Sequence, residues 1–275
     1  MRRQGPYDQA VVPSFTTLVN ESTAARALLM QPLVGRVTAA TQLYNGALPN
    51  VHVLQAMAAT KAQRSSLIDG YEGRTAQIKR RLAAMVDSLP PANADLCPYC
   101  SLDQNPDLDH FLPKAPFPEF SLHGPNLIPI CTPCNRKKLN AYKDANGDRI
   151  FLNPAFEPSI DASILEATIA YPAQKAFVSY KINDHGLLPP GERAIAHRHF
   201  RRLGLAGRYQ RRAHGFLASL KLGLAGKSLA VKQQTLQRKV DVAHEGRPLN
   251  DWEAALAQAI QTDFQAMLSW LDGPL

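Results

Sequence analysis

All four cysteines of this chain fall into two Cys-x-x-Cys pairs, Cys97/Cys100 and Cys131/Cys134, and none is left over. No other feature restricts the fold as strongly. Each pair brings two sulfurs out of one tight turn, stiffened here by Pro98 and Pro133. Two such turns are the ligand set of a tetrahedral zinc site, with four thiolates at about 2.3 Å from the ion. One pair alone would fit a redox dithiol. Two pairs without a spare cysteine favour zinc, because a reducing cytosol does not sustain structural disulfides.

The surroundings of the pairs fit a cytoplasmic chain. Met1-Arg2-Arg3 could open a secretory leader, but Gln4-Gly5-Pro6-Tyr7-Asp8-Gln9 stands where an apolar stretch would be needed. The most apolar run, Gly215–Gly226, is interrupted by Lys221 and is far shorter than the roughly 18–20 residues of a membrane span. With 45% apolar residues and a net charge of +8 over 275 residues, the chain can bury a core and is not expected to be disordered. The charge is uneven. Basic residues outnumber acidic ones ten to five over residues 1–90 and fifteen to ten over 161–275, whereas 91–160 has six basic and eight acidic. Two basic flanks suited to a phosphate polymer thus enclose a slightly acidic middle that could hold a divalent cation, although solvated faces would look the same.

The segment between the pairs carries the chemistry. It reads Asp107-Leu108-Asp109-His110-Phe111-Leu112-Pro113-Lys114, then Asn126-Leu127-Ile128-Pro129-Ile130, then Cys131-Thr132-Pro133-Cys134-Asn135-Arg136-Lys137-Lys138. Over about residues 96–158 this resembles the HNH, or ββα-metal, endonucleases. The likeness is to the branch in which two zinc knuckles bracket the active site, as in McrA-like restriction enzymes and phage junction-resolving endonucleases. The resemblance implies that Asp109 and His110 end the first strand, Asn126 sits on the second, and Asn135 takes the place where the family usually has His. It also implies a Mg²⁺ or Mn²⁺ cofactor and products with 5′-phosphate and 3′-hydroxyl ends. Asp-His alone would be a weak signal. Its placement between knuckles, with Asn126-Leu127 five residues before the second and Asn135 directly after it, is specific.

The residue chemistry agrees with those roles. Phosphodiester hydrolysis needs a water activated near neutral pH and a cation to absorb charge on the transition state. His110 suits the first task, having the one side chain whose unperturbed pKa lies near working pH. Asp109 and Asn135 offer hard oxygens to Mg²⁺, and by the family analogy Asn126 orients His110 or ties the second strand to its loop. Consecutive strand residues face opposite ways, so Asp109 and His110 address one site only if the strand ends or distorts there, as Pro113, Pro116 and Pro118 would favour. Asp107 shares the face of Asp109 and competes as a ligand. His123 is a second candidate base, in a Gly-Pro turn. Asn135 could instead cap a helix expected over Asn135–Lys143, and Lys137 and Lys138 could meet phosphate or only water. His197 and His199 diverge by about 200° on a helix, which argues against a second metal site.

The flanks read as helical. Ile78, Leu82, Met85 and Leu89 repeat at helical spacing, as do Tyr209, Ala213, Phe216, Leu220 and Leu224. Asn250 with Glu253 signals the start of one last helix, whose stripe runs Trp252, Leu256, Ile260, Phe264, Met267, Leu271. Glu166–Tyr171 and Ala176–Ile182 are β-rich, with a turn at Asn183-Asp184-His185-Gly186. Seven arginines and no acid lie in Arg193–His214, a stretch that Gly204 and Gly207 are expected to divide into two helices. Arg208, Arg211 and Arg212 would share an outward face and bind nucleic acid.

The expected protein is α+β: a helical N-terminal region at 1–94, a zinc-stapled ββα nuclease core at 95–158, and a short β segment with a basic helical region at 159–275. Its expected activity is metal-dependent cleavage of nucleic acid, DNA before RNA. The extra helices resemble HNH subunits of bacterial anti-phage systems that work beside an ATPase, Septu-like systems among them. The competing expectation is a catalytically silent zinc module that binds nucleic acid or a partner protein.

Overall fold

The computed structural model of the chain describes residues 1–90, 95–183 and 186–274, without the side chain of Ser159. Helix and small sheets are mixed, as an α+β chain requires. Two compact units emerge, residues 3–99 with 103–157, and residues 158–275 with 1–2 and 100–102. The N-terminal helices and the Asp107–Lys138 segment thus belong to one unit. The expected boundary at 94/95 and the turn at Asp184-His185 lie outside the described residues. No helix among them is long and apolar enough to cross a membrane.

The first unit begins with helices α1 (Phe15–Asn20), α2 (Ala24–Met30), α3 (Val34–Ala47), α4 (Lys61–Glu72) and α5 (Ala76–Asp87). Local chemistry sets their starts. Thr60 and Gln63 form a capping box at α4, and the Thr75 hydroxyl accepts the Ile78 amide at α5. The stripe Ile78, Leu82, Met85 and Leu89 is buried as expected, against Tyr7, Leu18, Tyr71, Leu122 and Leu127.

That core holds an antiparallel pair, β1 (Asp107–His110) and β2 (Leu127–Ile130), in a register that sets Asp109 opposite Ile128 and His110 opposite Leu127. Two strands alone are marginal in water, so the pair depends on the helices against it. Nearby tyrosines reach its backbone: Tyr71 donates to Leu108 O at 2.5 Å and Tyr7 to Leu127 O at 2.7 Å. After β2 comes α6 (Thr132–Lys138), with Cys131 as N-cap and Pro133 in its first turn. The helix expected at Asn135–Lys143 therefore starts three residues earlier, where proline's fixed φ suits a first turn, and ends at Leu139, which has φ 51°. Asn135 lies inside it and is not a cap.

The second unit pairs β3 (Leu165–Ala170) with β4 (Phe177–Ile182) antiparallel, close to the expected strands. Its helices are α7 (Pro190–Arg202), α8 (Leu205–Gly223), α9 (Leu229–Gly246), α10 (Trp252–Thr262) and α11 (Phe264–Asp272). Gly204, with φ 61°, separates α7 from α8, while Gly207 lies within α8 and breaks nothing. The last stripe is split at Asp263 into two helices, and the cap of α10 is Asp251 rather than Asn250. Asn250 is buried instead as a hub. Its Oδ1 accepts the Ile164 and Leu165 amides, and its Nδ2 donates to Ile160 O and Ala162 O.

Candidate functional site

The four cysteine sulfurs lie within 4.8 Å of one another, all buried and none in a disulfide. A tetrahedron with Zn–S bonds of about 2.3 Å needs sulfurs about 3.8 Å apart, so a small inward movement around an ion suffices. Among the described residues this is the one such group. The first turn is closed by the Cys97 amide on Asp103 O (2.9 Å), and Ser101, at φ 54°, reverses the chain just past Cys100. The second is the start of α6, where Cys131 caps and Cys134 lies one turn in. Four soft donors in a buried cluster fit zinc and could hold it.

Strand β1 stays regular through His110, and consecutive side chains part company. Asp109 reaches toward α6, where its Oδ2 lies 3.0 Å from Lys138 Nζ. That ammonium is fully buried and donates its directed hydrogen bond to His110 O at 2.7 Å. Burial pushes the Asp109 carboxyl above the usual range, against the pull of Lys138. Lys138 is thus not the surface partner of phosphate that the sequence suggested, because helix spacing turns it inward; Lys137 beside it is exposed. Asp107 meets Asn135, whose Nδ2 donates to Asp107 Oδ2 at 3.1 Å, and both are half-buried. Asp107, Asp109, Asn135 and Lys138 therefore cluster between β1 and α6.

His110 belongs to different company. Its Nε2 lies 2.9 Å from Ser121 O, and its ring stands edge-on to Tyr71 with centroids 4.3 Å apart. Since a carbonyl only accepts, Nε2 carries the proton, and Nδ1 makes no protein hydrogen bond among the described residues. Burial pushes the imidazole pKa down to about 3, with the nearby Lys114, Lys138 and Arg74 charges acting the same way, so the ring is neutral at pH 7.

The Asn126 carboxamide forms its hydrogen bonds away from the His110 ring and closes the 111–126 loop. Its Oδ1 accepts the Leu112 amide (2.7 Å) and the Tyr44 hydroxyl (3.0 Å), and its Nδ2 donates to Leu112 O (3.0 Å) and Phe120 O (3.1 Å). Of the two roles considered for it, the geometry is that of the loop tie. His123 lies elsewhere on this loop, with Nε2 2.9 Å from Asn45 Oδ1, lining a cavity of about 220 Å³ with Glu119.

The basic helix differs from expectation at one residue. Arg211 and Arg212 are exposed, but Arg208 is buried and its Nη2 lies 3.4 Å from Cys100 Sγ. Its neighbour Tyr209 also reaches Cys100, its hydroxyl donating to Cys100 O at 2.9 Å. His197 is exposed and His199 buried, so they do diverge. Sequence reasoning missed Tyr71, Arg74 and Tyr44, which carry no motif of their own. Ser121 acts through its backbone, which no residue type announces.

No protein-family profile matches the chain, and no solved structure does. A stretch of 66 residues is 35% identical to protein ea31 of Escherichia phage lambda, covering 24% of this chain and 22% of that protein. The match spans under a quarter of either and carries no activity with it.

Proposed function

We propose that this chain is a metal-dependent endonuclease of the HNH type that hydrolyses phosphodiester bonds of DNA. The observation that carries the reading is His110: an imidazole held by one nitrogen on the Ser121 carbonyl, with its other nitrogen making no protein hydrogen bond among the described residues. That nitrogen is open to a proton, and the negative charge of a phosphate bound beside it would raise the lowered imidazole pKa toward the working pH that a general base needs. His110 Nδ1 takes the proton of an attacking water while Nε2–H remains on Ser121 O, so the ring becomes an imidazolium without turning. Asn126 keeps the loop bearing Ser121 closed. For the cation, Asp107 and Asn135 are half-buried neighbours joined by the Asn135 Nδ2–Asp107 Oδ2 bond, each with its other oxygen to offer, whereas Asp109 is paired with Lys138. Because regular β1 puts Asp107 on the opposite face from His110, a Mg²⁺ or Mn²⁺ held there would supply charge neutralisation on the scissile phosphate only with β1 distorted at His110 by the bound substrate.

The test is plasmid nicking with Mg²⁺ or Mn²⁺, with and without EDTA. Wild type should cleave only with metal, and His110→Ala should keep its fold and zinc but lose about two to four orders of magnitude in rate. Cleavage by His110→Ala at the wild-type rate, with His123→Ala inactive, would move the base to His123. The buried Asp109–Lys138 pair favours one second reading, a silent zinc module that binds nucleic acid or a partner protein; metal-independent binding without cleavage would establish it. A role beside an ATPase in anti-phage defence is proposed on the sequence resemblance alone.

A further inference from the structure

Two cations from distant parts of the sequence converge on the aromatic ring that packs against His110. Arg74, just past α4, places its guanidinium carbon 3.9 Å from the centroid of Tyr71, and Lys114, in the 111–126 loop, places its Nζ 5.4 Å from the same centroid. Tyr71 is buried and fixed by its bond to Leu108 O, so the ring is a rigid base for both. Arg74 is further held by an Nη1–H bond to Tyr71 O at 2.6 Å. Lys114 pairs with the exposed Glu72 at 3.1 Å, but Arg74 has no carboxylate partner among the described residues. Both cations are half-buried rather than fully solvated. The Lys114 charge is met by Glu72, whereas ordering Arg74 over the ring without a carboxylate costs side-chain entropy that a bound anion would offset.

We infer that Arg74 and Lys114, mounted on Tyr71, form a phosphodiester-binding subsite on the His110 side of β1. The inference rests on the nuclease reading for its chemistry but not for its geometry. A guanidinium fork meets two phosphate oxygens at once, and the Lys114 ammonium, exchanging Glu72 for phosphate, adds a point charge. The substrate backbone is thereby held beside the imidazole. Arg74 and Lys114 are binding residues here, and Tyr71 is a positioning residue.

The test compares wild type, the double variant Arg74→Gln/Lys114→Gln and the conservative Arg74→Lys. Nicking kinetics are read together with fluorescence anisotropy of a labelled DNA duplex across a salt series. The double variant should raise KM and Kd roughly tenfold or more and flatten the salt slope by up to about 0.9 log units for each phosphate it no longer neutralises, while kcat at saturating DNA stays within about threefold. Arg74→Lys should recover most of the salt slope, and Tm and zinc content should match wild type. If wild type cleaves and the double variant keeps the wild-type KM and salt slope, the subsite is wrong and the nuclease reading stands. If wild type fails to cleave with either metal yet the double variant loses duplex affinity, the nuclease reading falls and the subsite stands. Wild type that neither cleaves nor binds overturns both.

Discussion

Lys138 is the residue whose role changes most between sequence and structure. In Asn135-Arg136-Lys137-Lys138 it reads as one more surface cation, yet it is the fully buried partner of Asp109. Removing one member of a buried pair leaves an uncompensated charge, which is more damaging than removing both. Lys138→Met should therefore cost about 3–5 kcal/mol in a urea unfolding experiment, and adding Asp109→Asn should restore a good part of it. A single variant as stable as wild type would mean that the Asp109 carboxyl is protonated and the pair contributes nothing. By the same logic, a cation approaching Asp109 would have to displace an ammonium that also holds His110 O.

At the scale of elements, helix α8 donates to the first Cys-x-x-Cys turn at Cys100. Four thiolates around Zn²⁺ carry an excess of two negative charges, and an N–H donor on a sulfur offsets part of it. Arg208, on the first turn of α8, is that donor for Cys100. Arg208→Ala should lower zinc affinity about 10–100-fold, the usual worth of a ligand's outer partner, measured by competition with a coloured chelator. Its DNA affinity should stay near the wild-type value. An Arg208 variant with unchanged zinc affinity but weakened DNA binding would return this residue to the outward role first expected of it.

For the molecule as a whole, two desolvated histidines, His110 buried and His123 half-buried, make stability depend on acid. Desolvation pushes His123 down to about 3, as it does His110, from the ordinary imidazole value of 6.5. Below about pH 6.5 the unfolded chain takes up protons that the native imidazoles refuse, so stability is full above that pH and falls progressively as pH drops toward 3. His123 is the cleaner probe because its Nε2 meets Asn45, whereas His110 is the proposed base. Urea midpoints measured between pH 7.5 and 5 should fall less steeply for His123→Asn than for wild type. Parallel curves would show that His123 titrates alike in both states.

Several features were legible in the sequence because their physics is local. Cys-x-x-Cys turns present two sulfurs each whatever surrounds them, helical spacing buries Ile78, Leu82 and Met85, and alternating β-branched residues pair as β3 and β4. Helix breaks were less legible, since Pro133 and Asp263 shift boundaries that apolar periodicity alone does not mark. What only the tertiary structure decided is the partner of each polar group. Tyr44 reaches Asn126 across 82 residues and Arg208 reaches Cys100 across 108, while Tyr71 meets His110 and Lys114 from a separate segment. A charged or amide side chain has the same identity in every environment. Its protonation, burial and direction are set by neighbours that the chain brings together only on folding, and so His110 is a neutral imidazole and Lys138 a core ammonium for reasons found in three dimensions.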